Sequence, residues 1–269
     1  MPKRKLVLLL VEGESDNRLL TPSIARLLQN RPVAGAPFRC DVLPAVIHPK
    51  KYREKTGKYP KQDIVETITE FVNGFLDPNH SDYQWSDLSH IVHVIDLDGT
   101  FIPDELVQCS SGLPEPVYHR DRIAVPNRER FIENRIVRRA SIGRLIDVPY
   151  LTHTERPKKR EVPYRLFFVG RNLEDAFADE AGSDLSDEDK KRLAYRKAMK
   201  FTTNPLIFEQ RLIKLNKACG APRDWRDSWR YVMDRESCHS LERCSNLYWI
   251  RDFIATSQVN LIDARRRRH

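Results

Sequence analysis

The sequence predicts an α/β protein: a parallel sheet core, interrupted by an insertion and followed by a helical C-terminal portion. Three observations carry the prediction. Short, nearly unbroken apolar runs recur at Lys5–Val11, Phe38–Ile47, His90–Ile95 and Val162–Val169, as in strands buried on both faces. Segments of helical periodicity lie between the first three. Three of the four runs end on or close to acidic residues, the place where open parallel sheets carry their ligand chemistry.

The first run, Lys5–Val11, leads into Glu12-Gly13-Glu14-Ser15-Asp16, after which Leu19, Leu20, Ile24, Leu27 and Leu28 repeat at helical spacing. Ser15 is the expected N-cap, and Pro22 predicts that the helix starts or kinks there. Phe38–Ile47 reads as a second strand, followed by a basic loop through Lys61. Gln62–Leu76 places Ile64, Ile68, Phe71, Val72 and Phe75 on one side of an amphipathic helix. His90–Ile95 is a third strand, ending on Asp96-Leu97-Asp98-Gly99. The region from about 100 to 160 reads as a loop-rich insertion holding one basic helix, Arg128–Ile146. Val162–Val169 is a fourth strand, leading to Gly170-Arg171-Asn172-Leu173-Glu174. Helices are then expected over Ser186–Phe201, Pro205–Cys219, Trp225–Asp234 and Ser245–Ala255. This divides the chain into a core, residues 1–178, and a helical portion, residues 179–269.

With 269 residues, 40% apolar and 31% charged, the composition is that of an ordinary globular protein. No apolar run approaches the ~20 residues of a membrane span. The N-terminal run lacks the features of a secretory signal, so the expected location is cytoplasmic. Five scattered cysteines fit a reducing compartment better than a disulfide scaffold. Cys219, Cys238, His239 and Cys244 lack the paired spacing of a zinc knuckle, and thiols without metal are the better reading.

The net charge of +8 favours a polyanionic partner, and its clustering says more than its total. His48–Lys61 holds six lysines and arginines against one glutamate. Arg135–Arg144 holds four arginines and no acid, Arg156–Arg160 reads Arg-Pro-Lys-Lys-Arg, and Arg265–Arg268 lies near the terminus. Lys50, Lys51, Lys55 and Arg171 are the candidates for gripping a nucleic-acid backbone. Trp225, Trp229 and Trp249 could stack on bases, but their helical spacing among apolar residues favours core packing.

If the strands ending at Glu12, Asp96 and Glu174 are neighbours, their acids converge in one crevice. Like charges held close together need protons or a cation. All-oxygen donors suit Mg2+ or Mn2+. Val11-Glu12-Gly13-Glu14-Ser15-Asp16, followed by Val94-Ile95-Asp96-Leu97-Asp98, resembles the toprim domain, most closely that of OLD-like and RloB-like proteins, many of them linked to phage defence. The resemblance covers roughly residues 5 to 110. It implies a toprim-like, Rossmann-like core and magnesium-dependent cleavage of nucleic acid, DNA or RNA. Glu12 would serve as general acid/base or metal ligand, Asp96 and Asp98 as metal ligands. Asp16, four residues after Glu12, and more weakly Glu174, would hold a second metal. OLD-like enzymes carry an ATPase, yet this chain has no G-x-x-x-x-G-K-[ST] motif. The resemblance therefore implies a standalone effector or one served by a separate ATPase sensor. A homodimer is the default expectation.

Two rivals use the same residues. Asp96-Leu97-Asp98-Gly99-Thr100 also matches the opening motif of haloacid-dehalogenase-like phosphatases, with Asp96 as nucleophile. That motif normally opens the chain and is followed by a later acidic pair, and Glu12 then has no role. The other rival is a non-catalytic toprim module that binds nucleic acid or a partner.

Overall fold

The computed structural model describes residues 6–30, 41–46, 63–79, 81–155, 158–179 and 186–255. It is a mixed α/β structure built on a five-stranded sheet. β1 (Leu6–Val11) is buried over its whole length, no residue more than 4% exposed. This is the expected state of an all-apolar strand covered on both faces. α1 (Glu14–Asn30) follows after a two-residue turn and continues past Pro22. Neither a start nor a break occurs there: burial of Leu19, Leu20, Ile24, Leu27 and Leu28 along one face holds the helix across the proline.

β2 (Asp41–Val46) pairs parallel with β1 at the sheet edge, where Pro44 can sit without depriving a second neighbour of an N–H donor. α2 (Ile64–Phe75) starts at Asp63, whose side chain accepts from Val65 N. It leads to β3 (Leu88–Asp96), which lies parallel to β1 on the side opposite β2. The chain thus leaves β1 in one direction and returns on the other. That reversal opens a crevice between the carboxyl ends of β1 and β3.

Beyond β3 come three short strands, β4 (Val107–Cys109), β5 (Val117–Tyr118) and β6 (Ile123–Val125), which form a separate small sheet of order β4-β6-β5. α3 (Arg128–Ile146), capped by Asn127 accepting from Arg130 N, matches its predicted extent. The insertion is shorter than expected, because β7 (Tyr150–Glu155) joins the main sheet. It pairs antiparallel with β8 (Lys158–Val169), itself parallel to β3, and completes the order β2-β1-β3-β8-β7. Tyr150–Glu155 carries one aliphatic residue, Leu151, and so lacks the continuous apolar run of the other strands.

α4 (Leu173–Phe177), α5 (Asp187–Thr203), α6 (Pro205–Lys217) and α7 (Trp225–Val232) follow. The expected helix over Ser245–Ala255 is broken: Ser245 bridges to Val169, a 3-10 turn spans Leu247–Trp249, and only 250–255 is α-helical. These helices share one hydrophobic core with the sheet, through Phe201, Phe208, Leu212, Trp229 and Ile250. Trp225 and Trp229 are buried, and Trp225 Nε1 donates to Leu166 O at 2.8 Å, as core packing requires. Among the described residues no helix is long and apolar enough to cross a membrane.

Candidate metal centre

The turn after β1 supplies the first acids. Gly13 N donates to Asp16 Oδ2 at 2.9 Å, so Asp16 closes the start of α1 from within its first turn. Ser15 is therefore not the N-cap; its hydroxyl donates to Glu174 Oε1 at 3.0 Å. That bond ties the first turn of α1 to the first turn of α4, which follows β8. Glu174 thereby joins a site whose other acids come from two different strands.

The turn after β3 is locked onto the turn after β8. Leu97 N donates to Val169 O at 2.9 Å, and Asp98 N to Arg171 O at 2.8 Å. Asp98 (φ 47°) and Arg171 (φ 46°) are both left-handed, and neither is glycine. Each such residue costs on the order of 1–3 kcal/mol, which the surrounding structure must offset. Ser240 helps to do so: its carbonyl accepts from Arg171 N at 3.0 Å and its hydroxyl from Phe101 N at 3.2 Å. Gly99 (φ +63°) has no room for a side chain, since a Cβ would stand 2.5 Å from Ile123 Cδ1. The small sheet thus sits directly against the acidic turn.

Glu12, Asp16, Asp96, Asp98 and Glu174 consequently gather in the crevice, and their proximity appears in their ionisation. Burial, then the charges of Glu174 and Glu12, push Asp16 up to about 8. Burial, then Asp16, Asp98, Glu12 and Glu174, hold the Asp96 carboxyl well above the usual range. Asp98 is raised to about 6 by burial and the Glu12 and Glu174 charges, although Arg138 pulls the other way. Several carboxylates that repel one another and resist ionisation form a donor set suited to a hard divalent cation. Among the described residues, however, no three acidic, histidine or cysteine side chains already converge as a closed metal site requires.

Among these acids stands Arg138, which its arginine run did not single out. Its Nη2 lies 3.3 Å from both Glu12 oxygens and donates to the Asp96 carbonyl, while its Nη1 lies 3.6 Å from Asp98 Oδ2. The sequence signal was the acid-free arginine run of α3, and the rest of that run has other work. Arg135 is buried and donates to Asp104 Oδ1 at 3.1 Å and to the carbonyls of Thr100 and Ile102. Arg139 reaches Asp104 at 3.4 Å. Tyr118 also faces the acids: burial and the Asp98 charge keep its phenol protonated.

Of the candidates for backbone binding, Arg171 is buried, its guanidinium 3.9 Å from Asp175, and Lys50, Lys51 and Lys55 lie outside the described residues. In the cysteine-rich segment His239 is 3.0 Å from Glu242 and stacks on Tyr231, with centroids 3.8 Å apart. A cavity of about 470 Å³ lies elsewhere, lined by Tyr150, Arg165, Trp225, Trp249 and Phe253 among others. In it the Arg165 guanidinium lies over the Trp225 and Phe253 rings, at 5.0 and 4.5 Å. The five acids lie in the crevice and not in this cavity. Comparison with protein families, with characterised proteins and with solved structures found no match to this chain.

Proposed function

We propose that the protein is a metal-dependent nuclease of toprim type, cleaving phosphodiester bonds in DNA or RNA. The observation that carries this reading is the gathering of Glu12, Asp16, Asp96, Asp98 and Glu174 at the reversal point of the sheet. Three of these carboxyls are held above their ordinary ionisation range by burial and by one another. Asp96, Asp98 and Asp16 would hold Mg2+ or Mn2+, with Glu174 completing the set. A bound divalent cation supplies electrophilic stabilisation of charge developing on the phosphate. Glu12, half-buried and held by the Arg138 guanidinium, would serve as a further metal ligand or, once that guanidinium has left, as the base for an attacking water. The net charge of +8 is in keeping with a polyanionic substrate. A role in phage defence, with or without a separate ATPase, rests on the motif resemblance.

The phosphatase alternative employs two of the five acids and leaves Glu12, Asp16 and Glu174 without a part. The test is cleavage of plasmid DNA and total tRNA in Mg2+ or Mn2+ by the wild type, Glu12→Gln and Asp96→Asn. Cutting is expected only with metal, reduced about 100-fold or more in both variants. Turnover of a simple phosphomonoester that depends on Asp96 but survives Glu12→Gln would replace this reading with the phosphatase.

A further inference from the structure

Resting on the metal-dependent reading, we propose that Arg138 and a divalent cation compete for the carboxylates of Glu12 and Asp98, and that Arg138, once displaced, binds the phosphate to be cleaved. The oxygens that Arg138 engages are those a cation would need. Its two terminal nitrogens span Glu12 and Asp98, and Nη2 also takes the Asp96 carbonyl. Two cations cannot share these partners without strong repulsion.

The surrounding structure lets Arg138 leave. α3 is fastened to the turn after β3 by Arg135 and Arg139, whose side chains are 4% and 12% exposed, and to the core by Ile142 and Leu145. The Arg138 side chain is 31% exposed and adds only its contacts with Glu12, Asp98 and the Asp96 carbonyl, so the Arg135, Arg139, Ile142 and Leu145 attachments remain when it leaves. A rotamer change can therefore carry its guanidinium out of the crevice while the helix stays in place. The planar fork that fits a carboxylate fits a phosphate equally well. Displaced, it needs a new anion at the mouth of the crevice, and a nucleic-acid backbone offers one.

Metal and substrate are then coupled. Metal entry frees Arg138 for the phosphate, and a phosphate that draws Arg138 away raises the affinity for metal, as linkage requires. The carboxylates meanwhile retain a counter-charge whichever cation is present.

The experiment is Mn2+ binding followed by electron paramagnetic resonance on the full chain, for wild type, Arg138→Gln and Arg138→Lys. Each is measured alone and with a short phosphorothioate-linked oligonucleotide, after circular dichroism has confirmed folding. Without oligonucleotide, Arg138→Gln should bind Mn2+ about tenfold more tightly than wild type. The oligonucleotide should tighten Mn2+ binding in the wild type, partly in Arg138→Lys, and not in Arg138→Gln. Equal or weaker Mn2+ binding by Arg138→Gln, or an oligonucleotide effect that survives it, overturns the competition while leaving the nuclease reading intact. Failure of every form to bind Mn2+ overturns both.

Discussion

Replacing Asp16 by asparagine should stabilise the metal-free protein at neutral and alkaline pH while weakening its hold on metal. The Asp16 side chain accepts the Gly13 N–H at 2.9 Å, and an asparagine carbonyl can accept the same bond, so the turn into α1 keeps its closure. What disappears is a titratable carboxyl that the folded state keeps protonated beside Glu174 and Glu12 until the pH approaches 8. In the folded protein Asp16 is pushed up to about 8, against 3.8 for an ordinary aspartate. A folded value above the unfolded one means that the native state holds its proton more tightly. The associated stability is present below pH 3.8 and is lost as pH rises towards 8. At about 1.4 kcal/mol for each pH unit crossed, the ceiling of that loss is ~6 kcal/mol. Glu12 and Glu174 can relax towards solvent and take up part of it, leaving about 2–4 kcal/mol, or roughly 5–10 °C in Tm. Thermal melts of both proteins in chelator at pH 5 and pH 8 measure it. The asparagine variant should melt higher at pH 8, with the gap narrowing at pH 5, and saturating Mg2+ should raise the wild type more than the variant. A variant that melts lower than wild type at pH 8 without metal would refute the reasoning.

Other residues make independent predictions. Gly170→Ala would set a Cβ 2.2 Å from the backbone carbonyl of Glu242, whereas Gly74 in α2 faces open space. Urea unfolding should show a loss of about 3 kcal/mol or more for the former and a gain of about 0.5–1 kcal/mol for Gly74→Ala. His93, buried with Nδ1 2.8 Å from the Tyr164 hydroxyl, is pushed down to about 3 by burial. Its folded value lies below the unfolded 6.5, so stability is complete above pH 6.5 and falls as the pH drops towards 3. In the Asp16→Asn background this amounts to about 2 kcal/mol between pH 7 and pH 5. The same fall persisting in His93→Gln would show that another group is responsible.

Much of the fold was legible because its signals are local. An all-apolar β1 and a β3 buried from Leu88 to Ile95 reveal themselves through their own residues. So do the bounds of α3, marked by Asn127 and by the end of its helical run. The acids at the strand ends could be named for the same reason. Tertiary structure alone decided what these pieces do to one another. It set β1 beside β3, so that Glu12 and Asp96 share a crevice, and it brought β7 into the main sheet. It carried Arg138 to Glu12 across 126 residues of chain and braced Asp98 and Arg171 in left-handed backbone through Ser240. Local periodicity reports how a segment is buried, but an ion pair or a strand neighbour depends on the path of the chain between the partners. No short stretch of sequence records that path.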